Sequence, residues 1–301
     1  MDNIQVMEEN KMIKIKLNSG YEMPQLGIGT FMASGNEQAK QSVLAALKVG
    51  YRLIDTAHVY NDERGVGDAI KESGVSREEI FLTSKLWPTE YGEGKTLTAI
   101  DKMLSRLGVE YIDLLLLHQP FGDAIGAWKE MEKAVEHGKV KSLGISNFEQ
   151  YKFDEIIKAG KILPAVHQTE CHPYRQMCGL RKKMKEYNMA LMCWYPFGGR
   201  GEGGANIILN DEIIKSIAES HGKTPAQVVL RFEMQEGMVT IPGSFNQDHI
   251  AENFKAVEFE LAEAEMEAIR KLNKEQRFFV SFEGLSYEQA EGFALGAKLQ
   301  D

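Results

Sequence analysis

Leu53-Ile54-Asp55, Ile80-Phe81-Leu82-Thr83-Ser84-Lys85 and Ile112-Asp113-Leu114-Leu115-Leu116-Leu117-His118 decide the reading of this chain. Each is a short, mostly apolar run that finishes on an ionisable side chain: a carboxylate, an amine and an imidazole. Tyr60 lies in the loop just after the first run. Near-continuous apolar runs of this length are the pattern of parallel strands covered on both faces. In a parallel barrel the catalytic groups gather where the strands end. The three runs and the phenol are therefore expected on one rim, where such a set can move a proton under electrostatic control.

Outward from these runs the chain alternates. Residues 12–24 read as a β-hairpin, with alternating Ile and Lys, then Asn18-Ser19-Gly20 as its turn. Strands are expected at Leu26–Gly29, Leu53–Asp55, Ile80–Lys85, Tyr111–His118, Val140–Ser146, Leu163–Glu170, Ala190–Tyr195 and Val239–Ile241. Between them, apolar residues recur at helical spacing over Glu37–Val49, around Gly67–Ser73, and over Thr96–Leu107, Ala127–His137, Tyr151–Ala159, Leu180–Tyr187, Asp211–His221 and Gln247–Ala256. Several of these stretches stop at a glycine, and Thr224-Pro225 marks the cap and first position of a second helix after Asp211–His221. Leu261–Leu272 is one helix more than eight strand–helix units need. The fold class is α/β, a (β/α)8 TIM barrel with an N-terminal hairpin and an extra C-terminal helix and tail. An open doubly wound sheet would carry GxGxxG after an early strand, and Gly27-Ile28-Gly29 lacks the third glycine.

Composition narrows the function. At 301 residues with no linker, residues 1–301 read as a single domain, with 1–11 as a loose tail and 277–301 as a C-terminal tail. A formal net charge of −9 argues against a nucleic-acid binder. No apolar run reaches the roughly 18 residues of a membrane span, and the N-terminus lacks a signal-peptide core, so a cytoplasmic location is expected. Cys171, Cys178 and Cys193 have no CxxC spacing and fit reduced thiols.

Lys85 at a strand end has two readings: a snorkelling surface cation, or an amine held by Asp55 from a nearby strand. In the second, the amine stabilises phenolate, lowers the Tyr60 pKa and makes it a proton donor near neutral pH. His118 is a satisfied core histidine or a neutral imidazole that orients a carbonyl. His58 competes with it, or supports the loop. A metal site is not expected, because His58 and His118 lack a third ligand and the His167–His172 stretch alternates in and out of a strand.

Gly50-Tyr51-Arg52-Leu53-Ile54-Asp55-Thr56-Ala57-His58-Val59-Tyr60 resembles the signature of the aldo-keto reductase superfamily. So do Leu82–Trp87, Leu116-Leu117-His118-Gln119-Pro120, Gly144–Phe148 and the segment from Ile241-Pro242 to Asn253-Phe254. The ordered matches run from about Leu17 to Leu272, and Trp194-Tyr195-Pro196-Phe197-Gly198 looks most like the bacterial 2,5-diketo-D-gluconate reductase branch. The resemblance implies NADPH or NADH as cofactor and a small aldehyde, ketone or keto-sugar as substrate. Tyr60 would be proton donor, Lys85 and Asp55 its tuning pair, and His118 the residue that orients the carbonyl. It implies a cofactor site of Thr30, Phe31, Asp55, Ser146, Asn147, Gln168, Trp194, Tyr195, Pro196, Phe197, Gly198, Pro242, Gly243, Ser244, Phe245, His249, Glu252 and Asn253. Ser146, Asn147 and Gln168 would hold the carboxamide, and Trp194 would stack on the ring. The glycine-rich 198–204 stretch, with Arg200, suits either a close approach to a pyrophosphate or a flexible connector.

Two departures stand out. Many relatives carry a lysine and an arginine where this chain has Gly243 and His249, so contacts to a 2′-phosphate are weakened and NADH use is expected to gain. Gln119 follows the histidine where many relatives carry Trp, and the Phe121–Ile125 loop is short, so the pocket walled by Phe31, Met32, Tyr51, Val59, Tyr60, Trp87, His118 and Gln119 is expected to be more open and more polar than in relatives built for large apolar aldehydes. The apolar residues of the tail (Phe282, Leu285, Tyr287, Phe293, Leu295) fit a helix on the barrel or a partner surface equally well. Monomer or weak homo-oligomer is the expected state. Two other function classes stay open: a Schiff-base lyase using Lys85, and a non-enzymatic nicotinamide-cofactor-binding subunit.

Overall fold

A computed structural model describes residues 12–148, 150–199, 206–279 and 286–299. Residues 1–11, Arg200, Phe282 and Leu285, for which the sequence raised expectations, lie outside the described residues. Eight parallel strands form the centre: β3 (Ile28–Gly29), β4 (Leu53–Asp55), β5 (Phe81–Leu86), β6 (Ile112–Leu117), β7 (Val140–Ser146), β8 (Val166–Glu170), β9 (Ala190–Trp194) and β10 (Val239–Thr240). Each pairs with the next in sequence, and parallel bridges Leu26 to Thr240 and Gly29 to Gly243 join the last strand to the first. The sheet closes on itself, as in a TIM barrel. A two-stranded antiparallel hairpin, β1 (Lys14–Lys16) and β2 (Glu22–Pro24), precedes it.

Strand parity explains the core. Leu53, Phe81, Leu114, Leu116, Val166, Met192 and Val239 pack together inside the barrel, with Leu17 and Met23 of the hairpin segment joining them. The alternate residues Ile54, Leu82, Leu115, Leu117, Leu143, Ile145, Leu191 and Cys193 belong to a second cluster shared with the helices. The interior is tight: a Cβ at Gly144 would lie 2.5 Å from Leu116 Cδ2 and 2.6 Å from the Val166 carbonyl. Asp55, Lys85, Ser146, Gln168 and Trp194 share the inward parity of Leu53, Phe81, Gly144, Val166 and Met192 on their strands.

The helices are α1 (Asn36–Val49), α2 (Glu63–Glu72), α3 (Lys95–Leu107), α4 (Ala124–Glu136), α5 (Gln150–Ala159), α6 (Cys178–Lys185), α7 (Glu212–His221), α8 (Pro225–Gln235), α9 (Gln247–Phe254), α10 (Glu263–Arg270) and α11 (Tyr287–Leu295). The boundaries moved where a local group decides them. Asp123 accepts from the Gly126 amide, so α4 begins at Ala124, before the expected Ala127. β8 starts at Val166, after Pro164, which has no N–H for the ladder. Thr224 and Gln227 form the reciprocal cap of α8. The choice left open for the tail is decided by α11, a helix packed on the barrel. Ser286 and Gln289 cap it, the Trp87 indole donates to the Ala294 carbonyl (2.7 Å), and the Tyr287 hydroxyl donates to the Pro120 carbonyl (3.0 Å). Among the described residues no helix is long and apolar enough to cross a membrane.

Candidate active site

At the C-terminal rim the four ionisable groups meet. Lys85, fully buried, donates to Asp55 Oδ1 (2.5 Å) and the Thr56 carbonyl (2.9 Å), and its Nζ lies 3.4 Å from the Tyr60 hydroxyl. Tyr60 ends a 3-10 turn, His58–Tyr60, which starts three residues after the last residue of β4 and so carries the phenol back over the end of that strand. His118 follows β6 directly. Its amide donates to the Leu86 carbonyl (3.1 Å), which extends the β5–β6 ladder and fixes the imidazole beside Lys85. The ring stands edge-on between Tyr60 (centroids 5.6 Å apart) and Trp87 (5.1 Å).

Burial raises the Asp55 carboxyl and lowers the Lys85 amine from their ordinary values, while their mutual contact opposes both shifts. Burial, with the charge of Lys85 added, pushes His118 well below the usual imidazole value, so the ring is neutral at pH 7. Its Nδ1 is buried with no partner among the described residues, which leaves Nε2 to meet a ligand. The expected lowering of Tyr60 is overturned. Burial first, then the charges of Asp55 and Asp62, hold the phenol well above its ordinary pKa. One ammonium at 3.4 Å does not outweigh desolvation plus two acids, so the resting side chain is a neutral O–H.

A second set adjoins the first across Asp55. Gln168 donates from Nε2 to Asp55 Oδ2 (2.7 Å). Asn147, in the left-handed conformation (φ 62°), turns the chain sharply after β7, so that its Nδ2 donates to Ser146 Oγ (3.1 Å) and the His118 carbonyl (3.2 Å). Its Oδ1 accepts from the Trp194 indole (3.1 Å). Tyr195 (φ 60°) makes a similar bend after β9. One cavity of about 1280 Å3 holds all of this. It runs from Trp87, Gln119 and Phe121 past Tyr60 and His118 to Ser146, Asn147, Gln168 and Trp194, then to Tyr195–Gly198, Gly243 and Phe245. An aromatic trough with amide and hydroxyl groups at its floor suits a planar ring bearing a carboxamide.

Other expected site residues lie elsewhere. Tyr51 is not a pocket wall: it is fully buried in the core, tilted against Phe254 (ring centroids 5.0 Å apart) with its hydroxyl donating to the Ile250 carbonyl (3.3 Å), because its position after Gly50 points it under α9. His58 supports the loop; its Nδ1 meets Glu90 Oε1 (2.8 Å), and Glu90 also accepts from the Trp87 amide (2.8 Å). Thr30 is buried beside the Asp55 carbonyl. Phe31, Met32 and Val59 line the cavity. Pro242 is buried behind Gly243, while Ser244, His249, Glu252 and Asn253 sit beyond the cavity on the segment leading into and along α9. Glu252 accepts from Thr224 (2.9 Å). Gln119 lines the cavity close to an apolar cluster. Trp87, Phe121, Ala290 and Ala294 pack together there, and the Gly122 amide donates to Glu291 (2.9 Å).

Sequence reasoning missed the layer behind the site and the roof above it. Asp62 is buried and accepts from Thr56 Oγ1 (2.6 Å). Glu63 accepts from Ser84 (2.7 Å) and Arg106 (2.7 Å). Asn61-Asp62-Glu63 reads as an ordinary helix start, which carries no signal of burial. The roof is the stretch at Phe278 and Phe279, beyond α10. Glu170 at the end of β8 accepts from the Phe278 amide (2.6 Å) and the Phe279 amide (3.2 Å). The Phe278 ring presses on Gly198, where a Cβ would come within 2.7 Å of it. Phe279 bridges Phe31 (5.8 Å), Trp194 (5.1 Å) and Tyr195 (5.9 Å). Among the described residues no group of three or more His, Cys, Asp or Glu is placed to hold a metal ion.

Residues 25–274 match the model of the Aldo/keto reductase family. The chain is 44% identical over 264 residues to 9,11-endoperoxide prostaglandin H2 reductase of Trypanosoma cruzi (strain CL Brener), covering 87% of this chain and 92% of that one. It is 42% identical over 264 residues to glyoxal reductase of Bacillus subtilis (strain 168), covering 87% and 94%. Among solved structures, an aldo-keto reductase enzyme from a Medee basin deep-sea metagenome library superposes with a TM-score of 0.85 at 39% identity, covering 91% of this chain and all of that one.

Proposed function

This chain belongs to the aldo/keto reductase family and is an NAD(P)H-dependent oxidoreductase that reduces carbonyl compounds; on that premise we propose that Tyr60 is the proton donor, assisted by Lys85, Asp55 and His118. One observation carries the assignment: Lys85 Nζ lies 2.5 Å from Asp55 and 3.4 Å from the Tyr60 hydroxyl at the floor of the cavity. The bound nicotinamide supplies the hydride. Tyr60 gives its proton to the carbonyl oxygen as charge develops there, and the Lys85 ammonium stabilises the negative charge left on the phenol oxygen. The high resting pKa keeps the proton on Tyr60 until that moment. Neutral His118 donates from Nε2 to the same carbonyl oxygen and orients it. Ser146, Asn147 and Gln168 would hold the carboxamide, and Trp194 would offer its face to the ring.

A lyase through Lys85 is disfavoured. A Schiff base needs a neutral, reachable amine, and this one is fully buried with Asp55 and the Thr56 carbonyl as partners. A pure binding subunit would have no use for the four convergent groups. Tyr60→Phe tests the assignment: reduction of a generic aldehyde should fall ~10²–10⁴-fold while cofactor binding holds, and an unchanged rate removes Tyr60 from the mechanism.

For substrate, we propose small aldehydes, ketones or keto-sugars, which the similarity to the Bacillus subtilis glyoxal reductase supports. For cofactor, Gly243 and His249 leave out two cationic contacts to a 2′-phosphate, each worth about 1.5–3 kcal/mol. The NADPH preference should therefore be modest, with NADH a usable donor. The ratio of kcat/KM for the two cofactors decides it, and an NADPH advantage of about a thousand-fold contradicts it. A single cytoplasmic domain, monomeric or weakly associated, completes the proposal.

A further inference from the structure

Among the described residues, two arginines that line the catalytic cavity, half-buried Arg175 and exposed Arg277, form no ion pair with a carboxylate. Arg175 follows β8 in a tight turn closed by hydrogen bonds between the backbones of His172 and Arg175 (2.8 and 3.1 Å). Arg277 lies on the roof segment, which is fastened by the Lys274 and Gln276 amides to the Tyr174 carbonyl and by Glu170 to the next two residues. Both residues line the cavity, as do Phe148, Met177 and Leu180. Neither guanidinium meets a carboxylate or a carbonyl among the described residues, and Arg175 Nε is buried with no partner. The Gln276 amide on the Tyr174 carbonyl (3.1 Å) brings the residues that precede Arg277 and Arg175 together, and burial, then the charge of Arg277, lowers the Arg175 pKa.

The rest of the molecule makes this unusual. The chain has 44 acidic and 35 basic residues, an excess of carboxylates. Arg77, Arg106, Arg181 and Arg231 are each paired with one. Of the two acids whose charges reach Arg175, Glu170 already accepts from the Phe278 and Phe279 amides and meets His172 (3.1 Å), and exposed Glu275 accepts from the Asn273 side chain (2.9 Å). A planar fork of N–H donors, left unpaired in a cavity wall, matches the geometry of an oxyanion.

We propose that Arg175 and Arg277 form an anion subsite that takes a carboxylate or phosphate carried by the carbonyl substrate, so that the preferred substrates are oxo-acids or phosphorylated carbonyl compounds long enough to reach from Tyr60 to the β8 side. The inference rests on carbonyl reduction at Tyr60. Gly243 and Phe245, which would hold the rest of the dinucleotide, follow β10 on the other side of β9 and Trp194 from Arg175, so its pyrophosphate is the weaker claimant for the pair.

The test uses ω-oxo carboxylates against n-alkanals of equal chain length, with the wild-type enzyme and with Arg175→Met, Arg277→Met and Arg277→Lys. At one chain length the wild type should prefer the charged aldehyde. Each methionine variant should cut that preference about tenfold to a hundredfold, mainly through KM, with the uncharged aldehyde altered less than about twofold and Arg277→Lys keeping most of the preference. Cofactor affinity, read from quenching of protein fluorescence by NADPH or NADH, should stay constant. A wild type with no preference for the charged aldehyde overturns the subsite, as does a preference that survives both methionine variants. Loss of cofactor affinity with an unchanged preference overturns it in favour of the pyrophosphate. Failure of every aldehyde in the wild type would instead strike the reading of Tyr60.

Discussion

The floor and the roof of the cavity are built by different means. On the floor, Asp55, Lys85, Ser146, Gln168 and Trp194 each sit on a strand, and His118 adds one more rung to the β5–β6 ladder. Their positions follow from strand register, and the barrel core beneath them fixes that register. The roof has no ladder. Phe278, Phe279 and α11 are held by isolated long-range contacts: Glu170 to two amides, Phe278 against Gly198, and Trp87 to the Ala294 carbonyl. A floor set by many cooperative hydrogen bonds resists displacement, whereas a roof set by a few side-chain contacts opens locally at low cost. The difference assigns chemistry to the floor and access to the roof.

Three changes break or sharpen this contrast. The largest effect is expected on the floor. Lys85→Met leaves Asp55 buried with Gln168 alone, and removing one partner of a buried ion pair costs about 3–5 kcal/mol. Stability should fall by that order in thermal or denaturant unfolding, and kcat should fall at least ~10²-fold. A variant as stable and active as the wild type would separate Lys85 from both the fold and the reaction. Glu170→Gln should act on the roof alone. Its amide keeps one acceptor for the Phe278 and Phe279 amides but loses the charge, so KM for aldehyde or cofactor should rise a fewfold while hydride transfer in a single turnover stays near the wild-type rate. A collapse of the single-turnover rate would show that roof and floor are one unit. The smallest effect concerns pH. Because burial holds His118 well below its ordinary value of about 6.5, the imidazole stays neutral as the solution is acidified. The profile of kcat/KM should therefore be flat from about pH 7.5 to about pH 6, and an acid limb near 6.5 would mean that His118 titrates like an exposed histidine.

The same contrast explains what the sequence disclosed. Leu53-Ile54-Asp55 and Ile112–His118 announced their strands because apolar residues fill both faces, and the ionisable group at each end stood out against them. Asn147, Gln168 and Trp194 were placed only through the family resemblance, since polar residues at strand ends are otherwise common. Tyr51 misled, because a tyrosine near a catalytic loop is equally an apolar ring with a hydroxyl that finds a carbonyl in the core. The direction of the Tyr60 shift was missed because the sequence offers the nearby Lys85 but hides the burial of Asp62, which lies in what reads as a routine helix start. Phe278, Phe279 and α11 were illegible for a further reason. Their partners are more than a hundred residues away, at Glu170 and Trp87, and no local pattern encodes a contact of that kind.

The central claim is that Tyr60 delivers a proton in the same step that hydride reaches the carbonyl carbon. The most direct measurement is the solvent deuterium isotope effect on single-turnover reduction of an aldehyde, taken for the wild type and for Tyr60→Phe with cofactor saturating. A normal effect in the wild type that disappears from the slow residual reaction of the variant is the predicted result. The same effect in both proteins would contradict the account, because the proton would then be coming from another group.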